Sequence, residues 1–214
     1  MKSKIQSLKN GNKKTVIKKL FLTAAVAVSS VTFAQQFGAK AGMNVSTISD
    51  EGFDDTKSKV GYYAGVFMNV PVSESFSIQP EVLYNNLGSK VSSTVSGTTY
   101  SSTLNLDYVA VPVMFQYKAT PQFYLEAGPE FGFLVNAKQK FDNGSSSTVT
   151  ELDKEDFNSF NMGVGLGLGF DISKNVGLNA RYVAGFSDIT KESGPSTDAK
   201  NKNNAFQVGL NIKF

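Results

Sequence analysis

Two-residue alternation runs to the very end of this chain. Phe206, Val208, Leu210, Ile212 and Phe214 fall on one face of a strand, and Ala205, Gln207, Gly209, Asn211 and Lys213 on the other. A strand whose faces differ this sharply separates two media. A face of large apolar side chains suits lipid, and a face of small or polar ones suits a packed, polar interior.

The same pattern recurs upstream and predicts eight strands, near 37–48, 60–70, 76–90, 104–118, 122–137, 157–172, 176–189 and 204–214. In the fifth, Phe123, Leu125, Ala127, Pro129, Phe131, Phe133 and Val135 share the apolar face. No apolar run of helix-spanning length occurs after residue 34. A membrane location therefore requires a closed barrel, because only helices and barrels satisfy every backbone group in lipid. The connections alternate. Short turns are expected at 71–75, 119–122 and 173–175, and longer polar loops at 49–59, 91–103, 138–156 and 190–203. The fold expected is all-β, an eight-stranded antiparallel up-and-down transmembrane β-barrel. A soluble lipocalin-like barrel is the rival, and it would turn the apolar face inward. Phe37, Phe76, Tyr117, Phe123, Phe170 and Phe214 collect at the short-turn end of the strands, and Tyr62, Tyr84, Phe160 and Phe186 at the other. They read as interfacial girdles, although strands are enriched in aromatics generally.

The first 19 residues carry seven lysines and no acid, and the uncharged run Leu20–Phe33 follows. At 14 residues the run is short for a bilayer span, which needs roughly 20. The segment reads as a secretory signal covering 1–34, cut after Ala34 with Thr32 three positions before the cut. The other reading is an anchoring amphipathic helix. Residues 35–214 then form one domain. Removing the seven lysines leaves 14 basic against 18 acidic side chains, a net charge of −4. The basic character of the whole chain belongs to the leader and is no argument for nucleic-acid binding.

The expected register turns Lys40, Glu81, Glu126, Glu130, Arg181 and Lys213 into the lumen. Eight strands enclose a space that side chains fill, so these charges must pair. An ionic plug that fixes register and seals the lumen is the structural reading. A narrow gated ion path and a catalytic carboxylate pair are the functional ones. Glu126 and Glu130 stand four residues apart, about 13 Å along a strand, which is too far for a shared-proton dyad. The series Gly163, Gly165, Gly167 and Gly169 lacks the spacing and helix context of a phosphate loop. It reads as space for large neighbours such as Arg181 or Tyr124.

Chemistry is restricted by what the chain lacks. It has no cysteine and no histidine. Disulfides, thiolate or imidazole metal sites, a lipoprotein anchor and Ser-His-Asp catalysis are therefore excluded. No cofactor and no enzymatic activity are expected. Two acidic clusters lie in the loops, Asp50, Glu51, Asp54 and Asp55 in the first and Glu151, Asp153, Glu155 and Asp156 in the third. Neither has the spacing of a calcium-binding EF-hand loop. Both read as solvated loop, with divalent cations bridging lipopolysaccharide as the other use. The third loop is the longest and the first choice for a partner contact.

With these residues in view, the chain resembles the PorT-family outer-membrane β-barrel domain of Bacteroidota, related in architecture to eight-stranded OmpA/OmpX-type barrels. FGAKAGMNVST at the start, FSIQPEVLYNNLG, YVAVPVMFQY, FYLEAGPEFGFLVNAK, FNMGVGLGLGFDI, ARYVAGFSDI and the closing FQVGLNIKF carry the resemblance. The closing strand with its terminal aromatic resembles the assembly signal of such barrels: Phe206, Val208, Leu210, Ile212 and Phe214. The resemblance implies a monomer in the outer membrane of a Gram-negative cell, with lipid, lipopolysaccharide and the barrel-assembly machinery as partners. Short turns face the periplasm in such barrels, which puts both termini there and four loops outside. Three functional classes follow. One is a structural or surface-binding barrel with a charge-plugged lumen. Another is an accessory of type IX protein secretion, which the family's namesake implies. The last is a narrow pore.

Overall fold

The structure is a computed structural model that describes residues 35–49, 57–95, 97–189 and 201–214. The expected leader, the acidic residues Asp50, Glu51, Asp54 and Asp55, and most of the fourth loop lie outside them. Nine strands are formed: β1 (Gln36–Ser49), β2 (Lys57–Pro71), β3 (Phe76–Val95), β4 (Thr98–Lys118), β5 (Phe123–Asp142), β6 (Ser147–Glu151), β7 (Phe160–Asp171), β8 (Val176–Asp188) and β9 (Lys202–Lys213). Eight of them close a ring in the order β1-β2-β3-β4-β5-β7-β8-β9, with β9 returning to β1. All the pairings are antiparallel. The remaining strand, β6, pairs among the described residues with β5 alone and stands outside the ring.

Closure follows from the alternation. Phe206, Val208, Leu210, Ile212 and Phe214 are all exposed on the outer surface, and so are Val66, Val82, Phe115, Leu166 and Tyr182. Gln207, Asn211 and Arg181 are buried inside. Apolar out and polar in is the reverse of a water-soluble barrel, so the lipocalin-like alternative is set aside. Among the described residues no helix is long and apolar enough to cross a membrane, so strands alone make the wall. On β5 the aromatics Phe123 and Phe133 are ten residues apart. That is about 33 Å along the strand, or about 25 Å of height at the usual tilt, which matches a bilayer's apolar band. Phe76 and Tyr117 pack 5.0 Å apart at the short-turn rim. Phe133 and Phe160 pack 5.4 Å apart towards the other rim.

Two expectations about loops are corrected. Residues 91–95 and 98–103 are strand and not loop, because β3 and β4 are paired without a break from Leu83↔Ala110 to Val95↔Thr98. Gly97, with φ of +82°, takes the left-handed turn position that favours glycine. The third loop is ordered into β6 and a 3₁₀ turn, Lys154–Asp156. The outer ends of β3, β4 and β5, with β6, form a sheet that continues past the ring.

Pairing is interrupted, without change of register, at three places in adjacent strands. Residues 68–69 and 79–80, then 81–82 and 111–112, then 113–114 and 128–129 form no ladder pairs. Each gap contains a proline, Pro80, Pro112 or Pro129, which has no N–H to contribute.

The glycines of β7 do make room. The Tyr124 ring lies where a Cβ on Gly169 would sit, and a Cβ on Gly165 would come within 3.2 Å of Arg181 Cδ. At Gly132 the nearest atom to such a Cβ is 3.4 Å away, on Tyr108. Gly169→Val is therefore expected to lower stability by about 1–3 kcal/mol through overpacking. Gly132→Ala should stay within about 0.5 kcal/mol of wild type. Urea unfolding in detergent micelles, followed by tryptophan-free near-UV signals or gel mobility, reads both. Equal stability of the two variants would refute the tight packing of Tyr124 over β7.

Candidate functional site

Arg181 is the centre of the lumen. It projects from β8, is 1% exposed, and is the largest fully buried side chain. Its guanidinium grips one carboxylate from across the ring, on β3, and one from β5, two strands away. Nη1 donates to Glu81 Oε2 at 3.0 Å and Nη2 to Glu81 Oε1 at 2.8 Å, a bidentate pair. Nε donates to Glu126 Oε1 at 2.8 Å. Lys40, on β1, donates to Glu81 Oε1 at 2.8 Å. Two cations and two carboxylates from β1, β3, β5 and β8 thus form one charge-balanced cluster spanning the ring.

Amides complete it. Gln79 Nε2 donates to Glu81 Oε1 at 2.8 Å, and Gln116 Nε2 to Glu126 Oε2 at 3.0 Å. Asn69 Nδ2 reaches Gln116 Oε1 at 2.8 Å, extending the network towards the short-turn rim. Tyr63 donates to Asn179 Oδ1 at 2.8 Å, and Asn179 Nδ2 to Asn211 Oδ1 at 3.1 Å. Charged groups so far from water need this degree of satisfaction, since an unmatched ion in a low-dielectric interior costs on the order of several kcal/mol.

The expected six-member network is corrected to four. Lys213 does face inward, but it pairs with Asp171 Oδ2 at 2.6 Å at the short-turn rim. Arg181 stands opposite Gln207, six residues earlier on β9, about 20 Å away at strand rise. Glu130 is also inward and buried, but forms no ion pair, and its Oε2 has no hydrogen-bond partner. It sits four residues from Glu126 on β5, beyond the reach of Arg181's fork.

Three further features were not read from the sequence. Asp171 lies inside the expected sixth strand, between Phe170 and Ile172, and was not singled out as an inward charge. Lys59 donates to the carbonyls of Asn86 at 3.4 Å and Leu87 at 3.2 Å, and to the side chain of Asn86. The same Asn86 donates to Asp107. Towards the long-loop rim, Leu87, Leu106, Tyr108, Ala137, Phe157, Ile189 and Ala205 form an apolar cluster inside the mouth. Their spread over six segments hides them from any local pattern. The lumen is therefore layered: rim ion pair, amides, ionic cluster, apolar cap.

Among the described residues no group of three or more acidic side chains is placed to hold a metal ion. Of the third-loop cluster, Glu151 pairs with Lys138 at 3.3 Å on the surface.

A ring of eight strands with an apolar exterior and a filled, ionic interior defines a transmembrane β-barrel whose lumen is packed. Residues 33–191 match the family described as outer membrane protein beta-barrel domain, and the chain belongs to that family. It is an outer-membrane protein. Among solved structures it is similar to Ail, the attachment invasion locus protein of Yersinia pestis, at 14% identity and a TM-score of 0.50. That match covers 85% of this chain and all of Ail. Neisserial surface protein A is similar at 12% identity and a TM-score of 0.47, over 85% of this chain and 99% of that one. These likenesses concern the fold. No curated protein matches the chain.

Arg181→Ala leaves Glu81 and Glu126 buried without their main partner and is expected to cost about 3–5 kcal/mol. Lys213→Ala, which removes one partly buried ion pair at the rim, should cost less, about 1–2 kcal/mol. Chemical unfolding in micelles orders the two. A Lys213→Ala variant as damaged as Arg181→Ala would contradict the central role of the cluster.

Proposed function

We propose that this protein is a structural, surface-binding barrel of the outer membrane whose lumen is closed by the Lys40–Glu81–Arg181–Glu126 cluster. The cluster carries the reading. A conducting path would have to cross a buried, charge-balanced layer and then an apolar cap, whereas a scaffold gains register and stiffness from both. Protein-binding capacity, on this reading, belongs to the sheet that continues past the ring. Among the described residues its last strand, β6, is paired on one edge alone, and it is exposed along its whole length. Tyr100, Phe141 and Val149 are exposed on the same extension. Unpaired edges and exposed aromatics are the features that partner strands recognise.

The short-turn rim, with both termini, faces the periplasm on this reading, and the extended sheet faces the exterior. The segment 1–34 serves as a cleaved signal. Phe206, Val208, Leu210, Ile212 and Phe214 form the recognition strand for the assembly machinery, and the barrel works as a monomer among lipid and lipopolysaccharide. A PorT-like role in type IX secretion is the second reading, and a narrow pore the third. The resemblance of the mature chain to the PorT-type barrel favours the former, and the inward-facing charges favour the latter.

The decisive comparison is of secreted and surface proteomes between wild type and a clean deletion with an intact envelope. Unchanged secretion is expected. Selective periplasmic retention of secreted cargo would replace the structural reading with the secretion one. In planar bilayers the wild-type barrel is expected to be silent. A steady ionic current through it, enlarged in Glu126→Ala, would favour the pore. Phe214→Ala is expected to reduce the assembled fraction several-fold while leaving the stability of assembled barrels within about 0.5 kcal/mol. Normal assembly of that variant would remove the recognition-strand assignment.

A further inference from the structure

Glu130 is a carboxylate that the cluster does not account for. Lys40 and Arg181 balance Glu81 and Glu126, and Lys213 balances Asp171. Lys59 is engaged by two carbonyls and by Asn86, the residue that also binds Asp107. Glu130 is left with one negative charge and no ion pair among the described residues.

It does not stand alone. Glu130 Oε2, Tyr108 Oη and Asn85 Nδ2 are all buried and all lack a hydrogen-bond partner. The three residues line one cavity of about 20 Å³, together with Asn161. About 10–15 Å³ suffices for one particle the size of a water molecule. The cavity lies between the ionic cluster and the apolar cap: Leu87 and Tyr108 belong to both its wall and the cap. Three residues with unmet hydrogen-bonding capacity, on three different strands, thus line one water-sized space, and one of them carries the surplus charge.

We propose that this cavity binds one monovalent cation of about sodium's size, held by Glu130 Oε2, Tyr108 Oη and a side-chain amide oxygen. Asn85 supplies that oxygen by a half-turn of its amide, which exchanges N for O. The exchange gives up a long 3.4 Å hydrogen bond from Gln207 Nε2, and the Gln207 amide must turn as well so that its oxygen meets Asn85 Nδ2. Asn161 is the other amide on the cavity wall. A divalent ion does not suit the site, because calcium asks for six to eight oxygens and usually several carboxylates. A protonated Glu130 with one water in the cavity is the competing occupant, and it requires equal midpoints in the two salts compared below. A cation both cancels the charge and gathers the oxygens. The lumen would then be neutral layer by layer, with a small ion as a component of the plug.

The test uses the protein extracted from outer membranes into detergent. Urea midpoints are compared in sodium chloride and in choline chloride of equal ionic strength, since choline is too large for the cavity. Wild type is expected to gain stability in sodium, saturably. The isosteric variant Glu130→Gln should lose at least nine-tenths of that gain, and Tyr108→Phe should weaken the apparent sodium affinity about tenfold. Crystals soaked in thallium(I) should give an anomalous peak between Glu130 and Tyr108. Equal midpoints in the two salts would overturn the proposal. So would a sodium effect that Glu130→Gln leaves intact, because the ion would then bind elsewhere.

Discussion

Closure of the ring between β1 and β9 is the constraint from which the rest follows. An open sheet in lipid would leave a row of amides and carbonyls with no partner, a cost no side-chain contact can offset. Eight strands close without gaps in connectivity, and that number sets the interior width. The width in turn dictates content. There is space for one layer of side chains from each strand, so residues on opposite walls touch. Arg181 on β8 can then meet Glu81 on β3 and Glu126 on β5, and an ion pair links residues 100 apart in the chain. A wider barrel with the same residues would hold water between them, and the same charges would line a channel.

The fold was legible because the period-two signal is long and its outer face faces lipid. Lipid demands apolar side chains without exception, so each strand announces itself. Orientation of Lys40, Glu81, Glu126 and Arg181 followed from parity alone. Partner choice did not. Parity says that Lys213 and Glu130 face inward too, but height along the barrel decides who meets whom, and height depends on the stagger between strands. The outer half of β3 and β4 escaped for a different reason. Outside the membrane neither face of a hairpin needs to be apolar, so the Ser- and Thr-rich stretch around Tyr100 reads as loop although its ladder is continuous. A bulge between Asp107 and Tyr108 adds to this by shifting the register of β4 against β5. The apolar cap is assembled from Leu87, Leu106, Ala137, Phe157 and Ile189, single positions on separate strands and loops with no periodicity to reveal them.

The three proline gaps and the ionic cluster occupy the same sector of the barrel. Glu81 lies within the middle gap, on β3, and Glu126 lies just beside the third, on β5. Where the ladder is interrupted, the wall is tied through the lumen to β1 and β8 instead. The cluster thus works as an internal rib and cannot be withdrawn like a stopper. In a barrel built this way, clearing the lumen and keeping the wall intact are incompatible aims, so natural variation that widens the interior has to restore amide donors at positions 80, 112 and 129 as it removes charge.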